Sequence, residues 1–198
     1  MFDLDQFLSD CQEAVLETQP TVAIKEVVQR AVNTGDDVLS TLSGDRAGIF
    51  PIYLADDLSV FNVVWAPEMR IPPHNHLMWA TIGLYGGQED NTFYRRAGAR
   101  LTESGGTQLR AGDVTLLGHN TVHQVINPLS RYTGAIHVYG GNLATCVGRS
   151  EWNPATLQES PYDFSKTTQY FEVANRRMAT ERSEDEPSDT NFEPRETS

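Results

Sequence analysis

His74 and His76 stand a single residue apart in the run PPHNHLMWATIGLYGGQE, residues 72–89, which reads as β-strand. Side chains alternate faces along a strand, so both imidazoles point one way and Asn75 points the other. Two neutral imidazoles on one face can each give a nitrogen to one metal ion, which makes the pair half of a metal site. A lone HxH is more often coincidence than ligand. This one is followed by GDVTLLGHNTVHQVIN, which has the form of a tight turn at Gly112, a short apolar strand, a second turn and a returning strand that carries His123 and leads to Asn127. His119, at the second turn between Gly118 and Asn120, reads as a rim residue. A further i, i+2 pair, His137 and Tyr139 in YTGAIHVYG, would set an imidazole and a phenol side by side; a His and Tyr satisfied within a core give the same pattern.

Together these segments resemble the paired motifs of cupins. The second motif matches at Gly112, His123 and Asn127, with Gly118 at its proline place and Asn120, which tolerates left-handed backbone, at its second glycine place. The first matches at His74, His76 and Gly87. It departs at Glu68, where a glycine is usual, and at Ala80 or Thr81, where a carboxylate ligand is usual. The missing carboxylate leaves three neutral imidazoles, so an anionic substrate meets no opposing protein charge at the ion. Within the cupins, HNHLMWATIGLYGGQE, VHQV and HVYGGN are together similar to bacterial mercaptopropionate dioxygenases and, more distantly, to cysteine dioxygenases, over roughly residues 50 to 145.

That resemblance implies an all-β cupin fold, a double-stranded β-helix or jelly-roll barrel with N-terminal helices packed outside. It implies Fe(II) held by His74, His76 and His123, a small thiol substrate and O2, and a sulfinic acid product. Ligand type alone also admits zinc, manganese or nickel. It gives Tyr139 a hydrogen bond to oxygen or substrate and His137 the task of positioning Tyr139, although Ala135 stands where a serine usually completes the trio. Trp79 is implied as pocket wall or core. An arginine that clamps the substrate carboxylate would fall near Gly148, which makes Arg149 the candidate and Arg70 and Arg131 its rivals. The cysteine that crosslinks to the tyrosine in cysteine dioxygenases has no counterpart near Ala80 and Thr81. Two other readings stand beside this one: a metal-dependent cupin dioxygenase or lyase acting on a non-thiol metabolite, and a non-catalytic small-molecule-binding cupin.

The rest of the chain must position these groups. Its 198 residues, 39% hydrophobic, are enough for one domain with a buried core, and a formal charge of −12 argues against nucleic acid or an anionic membrane as partner. Cys11 and Cys146, without CxxC spacing, suggest neither a disulfide framework nor a thiolate zinc site, which fits a reducing cytoplasm. The start MFDLDQFLSD has no signal-peptide pattern, and no apolar run is long enough to cross a bilayer. A monomer or small homo-oligomer is expected.

Helical spacing predicts an amphipathic helix over 3–17, with Asp3 as N-cap, and a second from Pro20 to about Gly35. From Gly48 on, short β-rich runs are broken about every ten residues by Gly, Pro, Asn or Asp, the rhythm of an antiparallel barrel. The expected organisation is a helical segment over 1–45, a barrel over 46–160, an extension over 161–179 with a short helix in FSKTTQYFEVANRRM, and an acidic, disordered tail over 180–198.

Overall fold

The computed structural model describes residues 1–98 and 100–185. Three helices come first: α1 (Leu4–Ala14), α2 (Pro20–Val32) and α3 (Asp36–Leu42). Asp3 caps α1 as its sequence suggests, its carboxylate accepting the Gln6 N–H at 3.1 Å. Pro20 opens α2, and Ile24, Val27, Val28, Ala31 and Val32 form its buried stripe. Burying a Val or Ile side chain stabilises by about 1.5–3 kcal/mol, so this stripe suffices to fix the helix against the protein. The short α3, absent from the sequence reading, is held by two buried side chains, Val38 and Leu42; two apolar positions are too few for a periodic signal.

Eleven strands follow: β1 (Gly48–Leu54), β2 (Ser59–Trp65), β3 (Arg70–Asn75), β4 (Ala80–Gly86), β5 (Gln88–Ala97), β6 (Arg100–Arg110), β7 (Val114–Leu117), β8 (Val122–Ile126), β9 (Thr133–Tyr139), β10 (Ser150–Trp152) and β11 (Glu159–Pro161). They form two antiparallel sheets with the orders β1-β2-β9-β4-β7 and β11-β10-β3-β8-β5-β6. Phe61, Val63, Ile82 and Leu84 of the first sheet meet Ile71, Leu109 and Val125 of the second in one core. Val60, Tyr85, Ile136 and Val138, on the other face of the first sheet, pack against α1, α2 and α3. The expected placement of the helices outside the barrel is what the structure has.

The C-terminal segment is more than an extension. Helix α4 (Phe164–Asp185) runs past Met178, where the sequence pattern was expected to end, and so takes in the first residues of the predicted tail; the remainder of that tail lies outside the described residues. Phe171 and Ala174 of α4 belong to the barrel core, and the Phe171 ring stacks on Trp65 at 5.4 Å. Asn175 exchanges hydrogen bonds with the Ala47 backbone in both directions. No helix among the described residues is long and apolar enough to cross a membrane.

The motif positions acquire physical reasons here. Gly87 has φ +78, and a Cβ there would fall 2.2 Å from Thr133 Oγ1, so glycine is required. Glu68, which replaces the motif glycine, nonetheless adopts φ +56, so the left-handed bend is kept without it. Asn120 is not left-handed, contrary to what its motif place suggests. Asn127 is fully buried; its amide donates to the Ala66 and Arg131 carbonyls and its oxygen accepts from Leu129 N and Thr133 Oγ1. It ties the β8–β9 turn rather than serving chemistry.

Candidate metal centre

The HxH run is not one continuous strand. Strand β3 ends at Asn75, Leu77 takes φ +55, and the chain resumes as β4 in the opposite sheet. His74 still faces inward, paired across the ladder with His123 of β8, and His76 follows it into the barrel. The three rings gather with centroids 4.7 Å (His74 and His123), 5.0 Å (His74 and His76) and 5.1 Å (His76 and His123) apart. One nitrogen from each lies within 4.8 Å of the others, and all three residues are buried.

The chemistry of this donor set fits a metal ion. His74 Nδ1 lies 3.0 Å from the Pro72 carbonyl, which can only accept, so the ring donates there and its Nε2 keeps a lone pair. His123 Nδ1 lies 2.7 Å from Asn91 Oδ1, and its Nε2 is buried without a protein partner. A buried nitrogen with no partner is costly unless something not made of protein takes it. Burial lowers the pKa of His74 to about 4, an effect the positive Arg149 reinforces, and burial likewise holds His76 and His123 well below the usual imidazole range. All three are therefore neutral at physiological pH, the state in which imidazole ligates. Of the two candidate places for the usual carboxylate ligand, Ala80 belongs to the inner core whereas Thr81 alternates to the other face. A methyl group thus stands where an acid would be.

The cluster opens on a cavity of about 300 Å³. His137 and Tyr139 line it from β9, with His137 Nδ1 3.0 Å from the phenol oxygen. The Tyr139 ring centroid is 5.0 Å from that of His76. Burial raises the Tyr139 pKa above the phenol range, so the hydroxyl keeps its proton. Arg149 also lines the cavity; it is 9% exposed and donates from Nε to the Asn75 carbonyl at 3.0 Å. Ile49, Phe61, Val63 and Val125 give the remaining wall an apolar character, and Phe164 and Thr167 bring α4 to it.

Trp79 is not among the lining residues. It packs on the helix-covered side, where a Cβ on Gly140 would come within 2.0 Å of its ring. Of the two roles expected for it, core and not pocket wall matches its place. Arg70, Arg131 and His119 are exposed and do not line the cavity.

Several groups here were not singled out from the sequence. Tyr162 lies under the Arg149 guanidinium, and Cys146 lines the cavity with its thiol 3.4 Å from the His76 carbonyl. Glu89 is wholly buried, its two oxygens accepting from Trp65 Nε1 at 2.8 Å and Asn91 Nδ2 at 2.9 Å. Burial pushes its carboxyl pKa up, and those two donors oppose the rise. Glu89 Oε2 is also 3.9 Å from His137 Nε2, which has no hydrogen-bond partner. Glu89 and Asn91 share i, i+2 spacing just after Gly87, which puts them on one face without saying that the face is sealed; Tyr162 gives no signal, since it lies beyond the periodic strands.

Two facing antiparallel sheets thus enclose an inward cluster of three histidines able to hold a metal. No known family profile matches the sequence. Among solved structures, the chain is similar to an RmlC-like cupin family protein with a double-stranded β-helix fold from Methanocaldococcus jannaschii, at 10% identity over 52% of this chain and 86% of that one with TM-score 0.44. A protein from Bacillus halodurans is 15% identical over 53% and 78% of the two chains with TM-score 0.47. A DMSP lyase from Ruegeria pomeroyi is 16% identical over 56% and 54% with TM-score 0.43.

Proposed function

We propose that this protein is a non-heme Fe(II) thiol dioxygenase that converts a small anionic thiol and O2 into the sulfinic acid. The observation that carries the reading is the placement of Arg149. A cationic group, nearly buried and without an acidic partner among the described residues, lies on the same cavity as an all-imidazole cluster. A molecule with a carboxylate at one end and a metal-seeking thiol at the other satisfies both.

His74, His76 and His123 would hold the iron, which when bound supplies the thiolate-binding and O2-activating chemistry that none of the side chains has. Arg149 offers its remaining N–H groups to the substrate carboxylate, with the Tyr162 ring beneath to fix the plane of the guanidinium. Tyr139 holds its hydroxyl at the cavity wall to hydrogen-bond substrate or oxygen, and His137 sets the direction of that hydroxyl. The apolar part of the wall lowers the local dielectric, which strengthens each of these polar contacts. In the net reaction the thiol sulfur gains both atoms of O2 and loses four electrons to them, and its proton ends on the sulfinic acid.

A second reading, a metal-dependent cupin acting on a non-thiol metabolite, is favoured by Ala135, which is buried on the strand that carries His137 and brings no hydroxyl to it. An oxygen-electrode assay of the iron-reconstituted protein against a panel of thiols tests the proposal. Oxygen uptake with a carboxylate-bearing thiol and a sulfinate product supports it; uptake with no thiol in the panel overturns it.

A further inference from the structure

Glu89 and Asn91 alternate to the same inward face of β5, and together they join Trp65 of the first sheet to His123 of the second. Each link in this chain has a direction. The Trp65 indole N–H can only donate, and Glu89 Oε2 accepts it at 2.8 Å. A carboxylate can only accept, so Glu89 Oε1 selects the amide nitrogen of Asn91, 2.9 Å away. Asn91 is thereby turned with its oxygen toward His123, where it takes the Nδ1–H at 2.7 Å. The His123 proton is thus fixed on Nδ1, and Nε2 is left bare, buried and without a protein partner, at the metal cluster.

We infer that Glu89 is a positioning residue for the metal centre, setting the tautomer of His123 through Asn91. The inference rests on the reading that His74, His76 and His123 hold a metal. It also accounts for a charge. Glu89 is the one acidic side chain among the described residues that is fully buried in the barrel, so the carboxylate missing from the place of Ala80 reappears one layer further out. When ionised, it balances a cation there without occupying a coordination place that a substrate would need. His74 requires no such relay, because a backbone carbonyl fixes its Nδ1–H directly.

The substitution Glu89→Gln tests the direction of the chain at nearly constant volume. Its amide oxygen must face the Trp65 N–H, so its NH2 faces Asn91, which must flip and present its own NH2 to His123 Nδ1. His123 then carries its proton on Nε2. In metal-free protein with 15N-labelled histidine, long-range 15N–1H correlation spectra should show His123 as the Nδ1–H form in the wild type and the Nε2–H form in E89Q. Affinity for zinc, used as a diamagnetic probe, should fall about 10 to 100-fold in E89Q, the loss usual when an outer partner of a metal-bound histidine is removed. An Nε2–H form in the wild type, or an unchanged tautomer or zinc affinity in folded E89Q, overturns the inference. Should E89Q not fold, the wild-type spectrum still decides the first point, and Asn91→Ala, which deletes the link to His123, should lower zinc affinity in its place; unchanged affinity there overturns the relay. Wild-type protein that shows the Nδ1–H form but binds neither zinc nor iron would remove the metal reading and not the relay.

Discussion

The Arg149 guanidinium lies over the Tyr162 ring, its central carbon 3.8 Å from the ring centroid, while its Nε donates to the Asn75 carbonyl. The stack and the carbonyl fix the planar fork before any ligand arrives, so little conformational freedom remains to be lost on binding an anion. The arginine and its carbonyl partner both belong to segments tied to the metal cluster: Asn75 lies between His74 and His76, and β10, beginning just after Arg149, pairs with β3 through Glu151 and His74.

Arg149→Ala should therefore lose mainly binding of carboxylate-bearing thiols, raising KM by about 10 to 100-fold, because breaking one side of a desolvated charge pair commonly costs a few kcal/mol. A matched thiol without the carboxylate should change much less. Steady-state oxygen uptake on the two substrates measures this. Equal effects on both, or none on either, would remove Arg149 from the substrate site.

Purified or reconstituted protein should carry about one transition metal per chain, chiefly iron, and His74→Ala, His76→Ala or His123→Ala should abolish its retention. Elemental analysis after desalting reads the result. Full retention in His123→Ala would show that the cluster is not the binding site.

No thioether should form between Tyr139 and cysteine on turnover. Ala80 and Thr81 provide no thiol, and although Cys146 lines the same cavity, its sulfur is on the His76 carbonyl while the Tyr139 oxygen is on His137. Intact-mass and peptide spectrometry after sustained turnover should show no loss of two hydrogens. A linked peptide containing Tyr139 and Cys146 would contradict this.

The metal-free protein should lose stability as pH falls. The folded pKa of His74 is lowered to about 4 from 6.5, that of His137 to about 3, and those of His76 and His123 move the same way, all chiefly through burial. The unfolded chain therefore takes up protons first. The contribution of these residues is fully present above about pH 6.5 and is lost progressively as pH falls toward 4. Urea midpoints of metal-free protein should be lower at pH 5 than at pH 7.5, with a smaller drop in His137→Gln. Equal drops in the two proteins would mean that His137 titrates normally.

Trp79→Phe should cost stability and leave KM for substrate unchanged, since its ring packs on Gly140 and the helical layer and not on the cavity. A raised KM with an unchanged melting temperature would restore it to the pocket wall.

The ladder of the barrel and its three-histidine cluster were legible because each depends on local spacing. A period of two puts His74 inward, turn residues mark the strand ends, and His123 sits at a fixed distance from Gly112. What was not legible depends on who meets whom across the barrel. Nothing local in Glu89 announces that it will be sealed between Trp65 and Asn91, since a strand carboxylate is ordinarily solvated. Nothing local in Tyr162 pairs it with Arg149. The inward turn of α4 was hidden for the same reason: Phe171 and Ala174 are apolar positions in a helix otherwise polar enough to read as a surface extension. Arg149 was reached only through a motif place occupied by Gly148, whose φ of +80 turns the chain just before it.

The lining of the cavity by α4 also sets an order of assembly. Every candidate ligand has been synthesised by residue 123, the cationic clamp follows at 149, and the last wall begins only at Phe164. As the chain leaves the ribosome, the histidines can come together in a barrel still open at one end, and closure arrives with α4. A chain cut just before Phe164 should then keep its ligands but present them to bulk water, separating the capture of an ion from its protection.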